Sequence, residues 1–236
     1  ELIVLITNSW GRICHWKKRM SNINRLNTIK EEILLCQKCP LAKGRKNAVP
    51  GEGPSSVDIM FIGEGPGFHE NQQGKPFVGQ AGAFLDELLS AAGLKREDVF
   101  ITNVVKCRPP SNRDPMPEEL SACAGYLDEQ IELLDPKVIV TLGRFSMAKF
   151  IENGKISQIH GKSQTVGDRL IVTMYHPAAA LHQPALRPAL VEDFAKLRPL
   201  LNIEEPVEPM AAVPEPEPQP ITKEEKPDLP EQLSLF

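Results

Sequence analysis

The sequence predicts an α/β fold of three layers, α/β/α, around a central four-stranded parallel sheet. From Val57 onward short apolar runs alternate with segments of helical spacing, and strands that alternate with helices build a parallel sheet covered on both faces. Length points the same way: 236 residues with 41% hydrophobic content bury one sizeable core but hardly two. A single globular domain flanked by tails is therefore expected.

The elements follow in order. The chain opens at Glu1, and Met20 is followed by SNINRLNTIKEEILLC, where Ile23, Leu26, Ile29, Ile33 and Leu34 keep helical spacing. Met20 reads as the native start, so residues 1–19 are expected to be an upstream extension in which Trp10, Cys14 and Trp16 have no role. The domain proper spans 20–202. DIMFIG is the first strand, GAFLDELLSAAG a helix, DVFITNVV the second strand and EELSACAGYLDEQIELL a longer helix. KVIVTLG is the third strand, a helix follows near Arg144 to Phe150, LIVTMY is the fourth strand, and a last helix runs near Pro188 to Leu201.

Residues 203–231 are a different kind of chain, rich in Pro and Glu and poor in aromatics, and predict a disordered linker. From 203 to 236 nine acidic residues face two lysines, a net −7, which leaves +3 for residues 1–202 out of the total of −4. Residues 1–19 hold four basic residues and one acidic, also +3, so the central region is neutral and bulk charge neither supports nor excludes a nucleic-acid partner. No apolar run approaches the roughly eighteen residues of a membrane span, and ELIVLI is too short and wrongly flanked for a signal peptide. A cytosolic protein is expected, where cysteines serve as metal ligands or free thiols rather than as disulfides.

In parallel sheets ligands sit in the crevice beyond the carboxyl ends of the strands. The first strand runs into Gly63-Glu64-Gly65-Pro66-Gly67, the second carries Asn103 near its end, the third stops at Gly143 and the fourth runs into Tyr175-His176-Pro177. A carboxylate, an amide and an imidazole thus meet at one sheet edge, which favours a site over three unrelated polar residues. Phe77, within Gly74-Lys75-Pro76-Phe77-Val78-Gly79, offers a ring that can stack on a flat ligand. Lys106, Arg108, Arg113 and Lys162 lie near these segments as candidate phosphate contacts. Cys36 and Cys39 form a CxxC pair, and Cys107 and Cys123 supply two more thiols. Four thiolates hold either a zinc ion or an iron-sulfur cluster, and spacing does not choose between them.

Taken together, CQKCPLAKGRKNAVPGEG, FIGEGPGFHENQQGKPFVGQAG, TNVVKCRPPSNRDPMPEEL with Cys123, and YHPAAAL resemble the motifs of the family 4 uracil-DNA glycosylases, over about Ile29 to Leu201. The resemblance implies an enzyme that hydrolyses the N-glycosidic bond of deoxyuridine in single- or double-stranded DNA, acting as a monomer and starting base excision repair. It implies a [4Fe-4S] cluster on Cys36, Cys39, Cys107 and Cys123, with a part in structure and DNA docking. Glu64 would orient or activate the water and His176 would stabilise charge on the departing base. Asn103 would read the uracil edge and Phe77 would stack on the base, with Gly63 and Gly65 lining the uracil site. Glu70 and Asn112 would support, acting on water or the DNA backbone, and residues 176–181 would form a wedge or a helix start. One departure is Asn71, where the family usually has Asp. Two alternatives remain beside this reading, a branch with broader deaminated-base specificity and a non-catalytic DNA-binding module carrying the same cluster.

The chain ends in Gln232-Leu233-Ser234-Leu235-Phe236, which looks like the bacterial sliding-clamp-binding peptide. Gln232, Leu233, Leu235 and Phe236 would be its anchors, with the preceding linker leaving the domain mobile on the clamp.

Overall fold

The computed structural model describes the backbone of residues 2–201 and the side chains of residues 19–201. In chain order the elements are α1 (Leu2–Leu35), α2 (Leu41–Gly44), β1 (Ile59–Gly63), α3 (Phe68–Gln73), α4 (Gln80–Ala91) and β2 (Phe100–Asn103). They continue with α5 (Pro117–Leu134), β3 (Val138–Leu142), α6 (Arg144–Ala148), α7 (Ile156–Ile159), β4 (Ser163–Val166) and β5 (Arg169–Met174). The described chain closes with α8 (Pro177–His182), α9 (Arg187–Ala195) and α10 (Leu197–Leu200).

The sheet order is β2-β1-β3-β5-β4, with the first four strands parallel and β4 antiparallel to β5 at the edge. The expected four parallel strands are present, and the fifth strand is the addition. SQTV is exposed at every position, so it lacks the apolar signal by which buried strands are recognised. Its pairing comes from the turn at Asp168, where Gly167 takes a φ of +60° that suits glycine.

Side chains alternate across the sheet with the period of two that a strand imposes. Ile59, Phe61, Val138, Val140, Val172 and Met174 face one core, shared with α4, α8 and α9. Met60, Ile62, Ile139 and Ile171 face the other, shared with α5, α6 and the Leu26 face of α1. Phe61 is fully buried and stacks on Phe194 at 6.0 Å, so Phe61→Ala costs about 3–5 kcal/mol.

A third, smaller core joins the end of α1 to α5. Ile29 and Ile33 are fully buried against Tyr126, Leu41 and the four cysteines, while Leu34 turns outward. Arg25 adds a guanidinium contact to Glu129 of α5, and Asn22 donates to the Leu133 carbonyl. α1 continues unbroken through Met20.

The connection from β1 leads to β2 on one side, and the one from β3 leads to β5 on the other. The crevice between their carboxyl ends is the switch point where such sheets bind ligands.

Candidate active site

A cleft of about 490 Å3 opens at that point. Glu64, Phe77, Asn103 and His176 all line it, together with Asn112 and Arg113 from the segment after β2. Four residues from four separate segments of the sequence therefore share one cavity.

Backbone pairing sets the floor of the cleft. Beyond the strand ends, Val104 donates to the Gly63 carbonyl and Val105 to the Glu64 carbonyl, both at 3.1 Å, so the two loops stay zipped past β1 and β2. Gly63 does not line the cleft itself. Its lack of a side chain lets others in, since a Cβ there would meet Asn103 Oδ1 at 2.4 Å and the Phe77 ring at 2.7 Å. Gly65 does line the cleft.

Asn103 is 1% exposed, and its Oδ1 has no hydrogen-bond partner among the described residues. A buried carbonyl oxygen of this kind is costly unless something fills the need, and Asn103 lines the cleft, which makes its amide a candidate ligand contact. His176 caps α8: its Nδ1 accepts from the Ala178 amide at 3.1 Å. That bond requires an unprotonated Nδ1, so the ring proton sits on Nε2. Burial pushes the imidazole down to about 4, opposed by the Glu70 carboxylate, and the ring is neutral at ordinary pH. Phe77 stacks beside it, with ring centroids 5.4 Å apart. Phe77 holds a φ of +50°, a left-handed conformation that a bulky residue adopts only under constraint.

Glu70 supplies that constraint. Its carboxylate accepts from the Gly67 amide at 3.0 Å on one oxygen, and from the Val78 and Gly79 amides at 2.9 and 3.0 Å on the other. It ties the turn that carries Glu64 to the loop that carries Phe77, and it also lines the cleft. Asn71 accepts from the Lys46 amide at 2.8 Å and pins the segment after α2, a structural task that needs no charge.

Glu64 stands in contrast. Burial pushes its carboxyl above the ordinary value of 4.5, Asp114 pushes it further, and Arg144 pulls it back. Asp114 and Arg144 pair with each other beside it. Sequence reading missed this pair because Asp114 and Arg144 follow different strands and only the folded loops join them. Asn112, at φ +55°, lines the cleft and accepts from Arg108 Nε at 2.8 Å. Arg113 is held by Glu119 in a two-pronged pair at 2.6 and 2.9 Å, and Lys162 is exposed outside the cleft lining. Lys106 is 1% exposed, so the expected phosphate contact is wrong for it: its ammonium is inside the fold. Residues 178–181 belong to α8, with Leu181 40% exposed.

The four cysteines line one recess, 36 and 39 between α1 and α2, 107 beyond β2, and 123 in α5. Cys107 lies four residues past the end of β2 rather than at it. The recess is ringed with donors. Arg45 Nη1 reaches Cys107 Sγ at 3.0 Å and the Lys106 amide reaches Cys123 Sγ at 3.3 Å. Burial pushes the Cys107 and Cys123 thiols up, while Arg45 and Lys106 respectively pull them down toward the thiolate. Four soft donors with cationic neighbours fit an anionic thiolate-bound metal group. Among the described residues no group of three His, Cys, Asp or Glu side chains stands close enough for a single metal ion.

Among the described residues no helix is long and apolar enough to cross a membrane. Gln232 to Phe236 lie outside the described residues.

Comparison with known proteins adds a second line. Residues 50–198 match the family model described as the uracil DNA glycosylase superfamily. The chain is 50% identical over 188 residues to the type-4 uracil-DNA glycosylase of Sulfurisphaera tokodaii, covering 75% of this chain and 86% of that one. It is 50% identical over 190 residues to the protein of the same name from Saccharolobus solfataricus, covering 76% and 88%. With the one from Archaeoglobus fulgidus it shares 47% over 191 residues, covering 77% and 96%.

Proposed function

The chain belongs to the uracil-DNA glycosylase superfamily, and from that premise we propose that it excises uracil from DNA by hydrolysing the N-glycosidic bond, as the type-4 relatives' name states for them. The observation that carries the reading is the buried, unpartnered Oδ1 of Asn103 in a cleft that also holds Glu64 and a neutral His176.

The chemistry follows from these groups. A base inside a duplex is out of reach, so the nucleotide turns out of the helix into the cleft, where Phe77 stacks on the ring. Uracil presents a carbonyl and a ring N–H side by side. Asn103 answers with its amide N–H and its Oδ1, whereas cytosine offers the reverse pattern. As the bond to the sugar breaks, negative charge gathers on the base and the Nε2–H of His176 donates to it. A neutral donor suits this task because it is fixed in place by Ala178 and needs no proton from solvent. The Glu64 carboxylate, free of hydrogen bonds that would blunt it, takes the proton of the attacking water and faces the positive charge that builds on the sugar.

We further propose that Cys36, Cys39, Cys107 and Cys123 hold a [4Fe-4S] cluster. Such a cluster attaches each thiolate to its own iron, so the four sulfurs need not converge on one point. It would supply a covalent brace among α1, α2, α5 and the turn after β2, and no step at the base passes through it. The terminal Gln232, Leu233, Leu235 and Phe236 we assign to a sliding clamp, with the protein a monomer in the compartment that holds the DNA; deletion of these residues should abolish clamp pull-down, and retained pull-down refutes the assignment.

The test of the function is alkali-revealed cleavage of a labelled oligonucleotide with one uracil, beside thymine and hypoxanthine controls. Protein purified without oxygen should carry about four irons per chain and cut at uracil alone, with Glu64→Gln much slower. Iron-loaded protein that leaves uracil intact would overturn the enzyme reading, and stoichiometric zinc would overturn the cluster.

A further inference from the structure

Lys106 has bonds that reach both the cysteine recess and the cleft. It is 1% exposed, and its ammonium donates to Thr102 Oγ1 at 2.6 Å, to Gln130 Oε1 at 2.7 Å and to the carbonyl of Asn103 at 2.9 Å. Thr102 and Gln130 both donate in turn to the Pro50 carbonyl, at 3.1 and 2.8 Å, which closes a buried ring of hydrogen bonds. The backbone of Lys106 is tied as firmly: its amide donates to Cys123 Sγ at 3.3 Å and its carbonyl accepts from Val49 at 2.8 Å. The next residue is Cys107.

All three acceptors of the ammonium are neutral. A charge taken out of water without an opposite charge is costly, so a buried ammonium whose acceptors are all neutral needs a reason beyond filling space. The ammonium meanwhile fixes the peptide of Asn103 from one side, while the Val104 and Val105 amides fix the following residues from the other. The side-chain Oδ1 of Asn103 has no partner of its own, so its aim depends on the backbone that bears it.

We propose that Lys106 is a positioning residue for base recognition, which makes the aim of Asn103 depend on the seating of the four-cysteine group. The proposal rests on the reading of Asn103 as the uracil contact. A displacement of about 1 Å in a recognition group costs on the order of 100-fold, so loss of one of several restraints should cost about ten-fold.

The experiment uses iron-loaded Lys106→Met, which keeps the length and removes the charge. Free uracil is titrated by calorimetry, iron is counted, and kcat and KM are measured on uracil-containing DNA. The expected result is full iron, a KM for DNA within about two-fold of wild type, and about ten-fold losses in uracil affinity and in kcat. A merely structural lysine would lower the melting temperature and leave uracil affinity alone. Full iron with wild-type uracil affinity would overturn the proposal. Should Lys106→Met fail to load iron, Thr102→Val and Gln130→Met each remove one acceptor and leave the lysine; both should weaken uracil binding in the same direction, and wild-type affinity in both would overturn it. Asn103→Ala in the same titration separates the two readings. If it binds uracil like wild type, the assignment of Asn103 falls and this proposal with it; if it loses uracil while Lys106→Met does not, this proposal alone falls.

Discussion

Replacing Glu70 tests whether the cleft is preorganised by its carboxylate. Three backbone amides from two loops end on it, one on Oε2 and two on Oε1. Glu70→Gln can keep the Val78 and Gly79 bonds but must turn an NH2 toward the Gly67 amide, while Glu70→Ala loses all three. Hydrogen bonds to a charged acceptor contribute about 1.5–3 kcal/mol when desolvated, and these amides are only partly buried, so roughly 1 kcal/mol each is the working figure. Glu70→Gln should then cost about 1–2 kcal/mol and Glu70→Ala about 3 kcal/mol. In a domain of this size that is a fall in Tm of about 2–8 °C and about 6–12 °C respectively. The kinetic effect follows from Phe77, whose left-handed backbone stores about 1–2 kcal/mol that these bonds hold in place. Released, Phe77 relaxes, and the single-turnover rate should drop about ten-fold or more in Glu70→Ala with DNA affinity little changed. Differential scanning and single-turnover assays on iron-loaded protein decide it. Equal melting temperatures and equal rates for wild type and both variants would refute the reasoning.

Asn103→Asp should reduce uracil excision by about 100-fold or more and weaken discrimination against cytosine, because one donor is lost and a buried carboxylate replaces a matched amide; unchanged selectivity in the oligonucleotide assay removes Asn103 from recognition. Acid should act on the enzyme in two ways. His176, pushed from 6.5 down to about 4, is buried neutral, so its contribution to stability is complete above about pH 6.5 and is lost as pH falls toward 4, at a cost of about 3 kcal/mol. Denaturation at pH 7 and pH 4.5, with His176→Asn as reference, reads this term, and a variant with the same pH dependence as wild type contradicts it. Glu64 sets the acid limb of kcat/KM, displaced upward from 4.5, and the residual activity of Glu64→Gln should lack that limb.

What the sequence discloses here is what strands and backbone dictate. Val138 to Leu142 and Arg169 to Met174 carry the apolar runs that only a buried strand needs, and the residues just past strand ends gather by topology alone, so Glu64, Asn103 and His176 could be placed together before any coordinates. β4 carries no such run because its pairing rests on a turn. Glu70 could be singled out by position but not understood, since two of the amides that donate to it lie eight and nine residues away around a bend. Asp114 and Arg144 needed the folded loops to meet. Lys106 was misplaced for a general reason: lysine is almost never fully buried, and nothing local announces that Thr102, Asn103 and Gln130 will enclose one.

The two carboxylates of the Glu64 to Glu70 segment show how one stretch of chain yields opposite chemistry. Glu70 receives three backbone N–H groups, which hold its carboxylate as a brace between two loops. Glu64 stands in the same cleft, receives no such donors, and is pushed above its ordinary value by burial and by Asp114. Identical side chains six residues apart are thus assigned by the direction in which backbone amides point, which is a property of the Gly-Pro-Gly turn between them rather than of either glutamate.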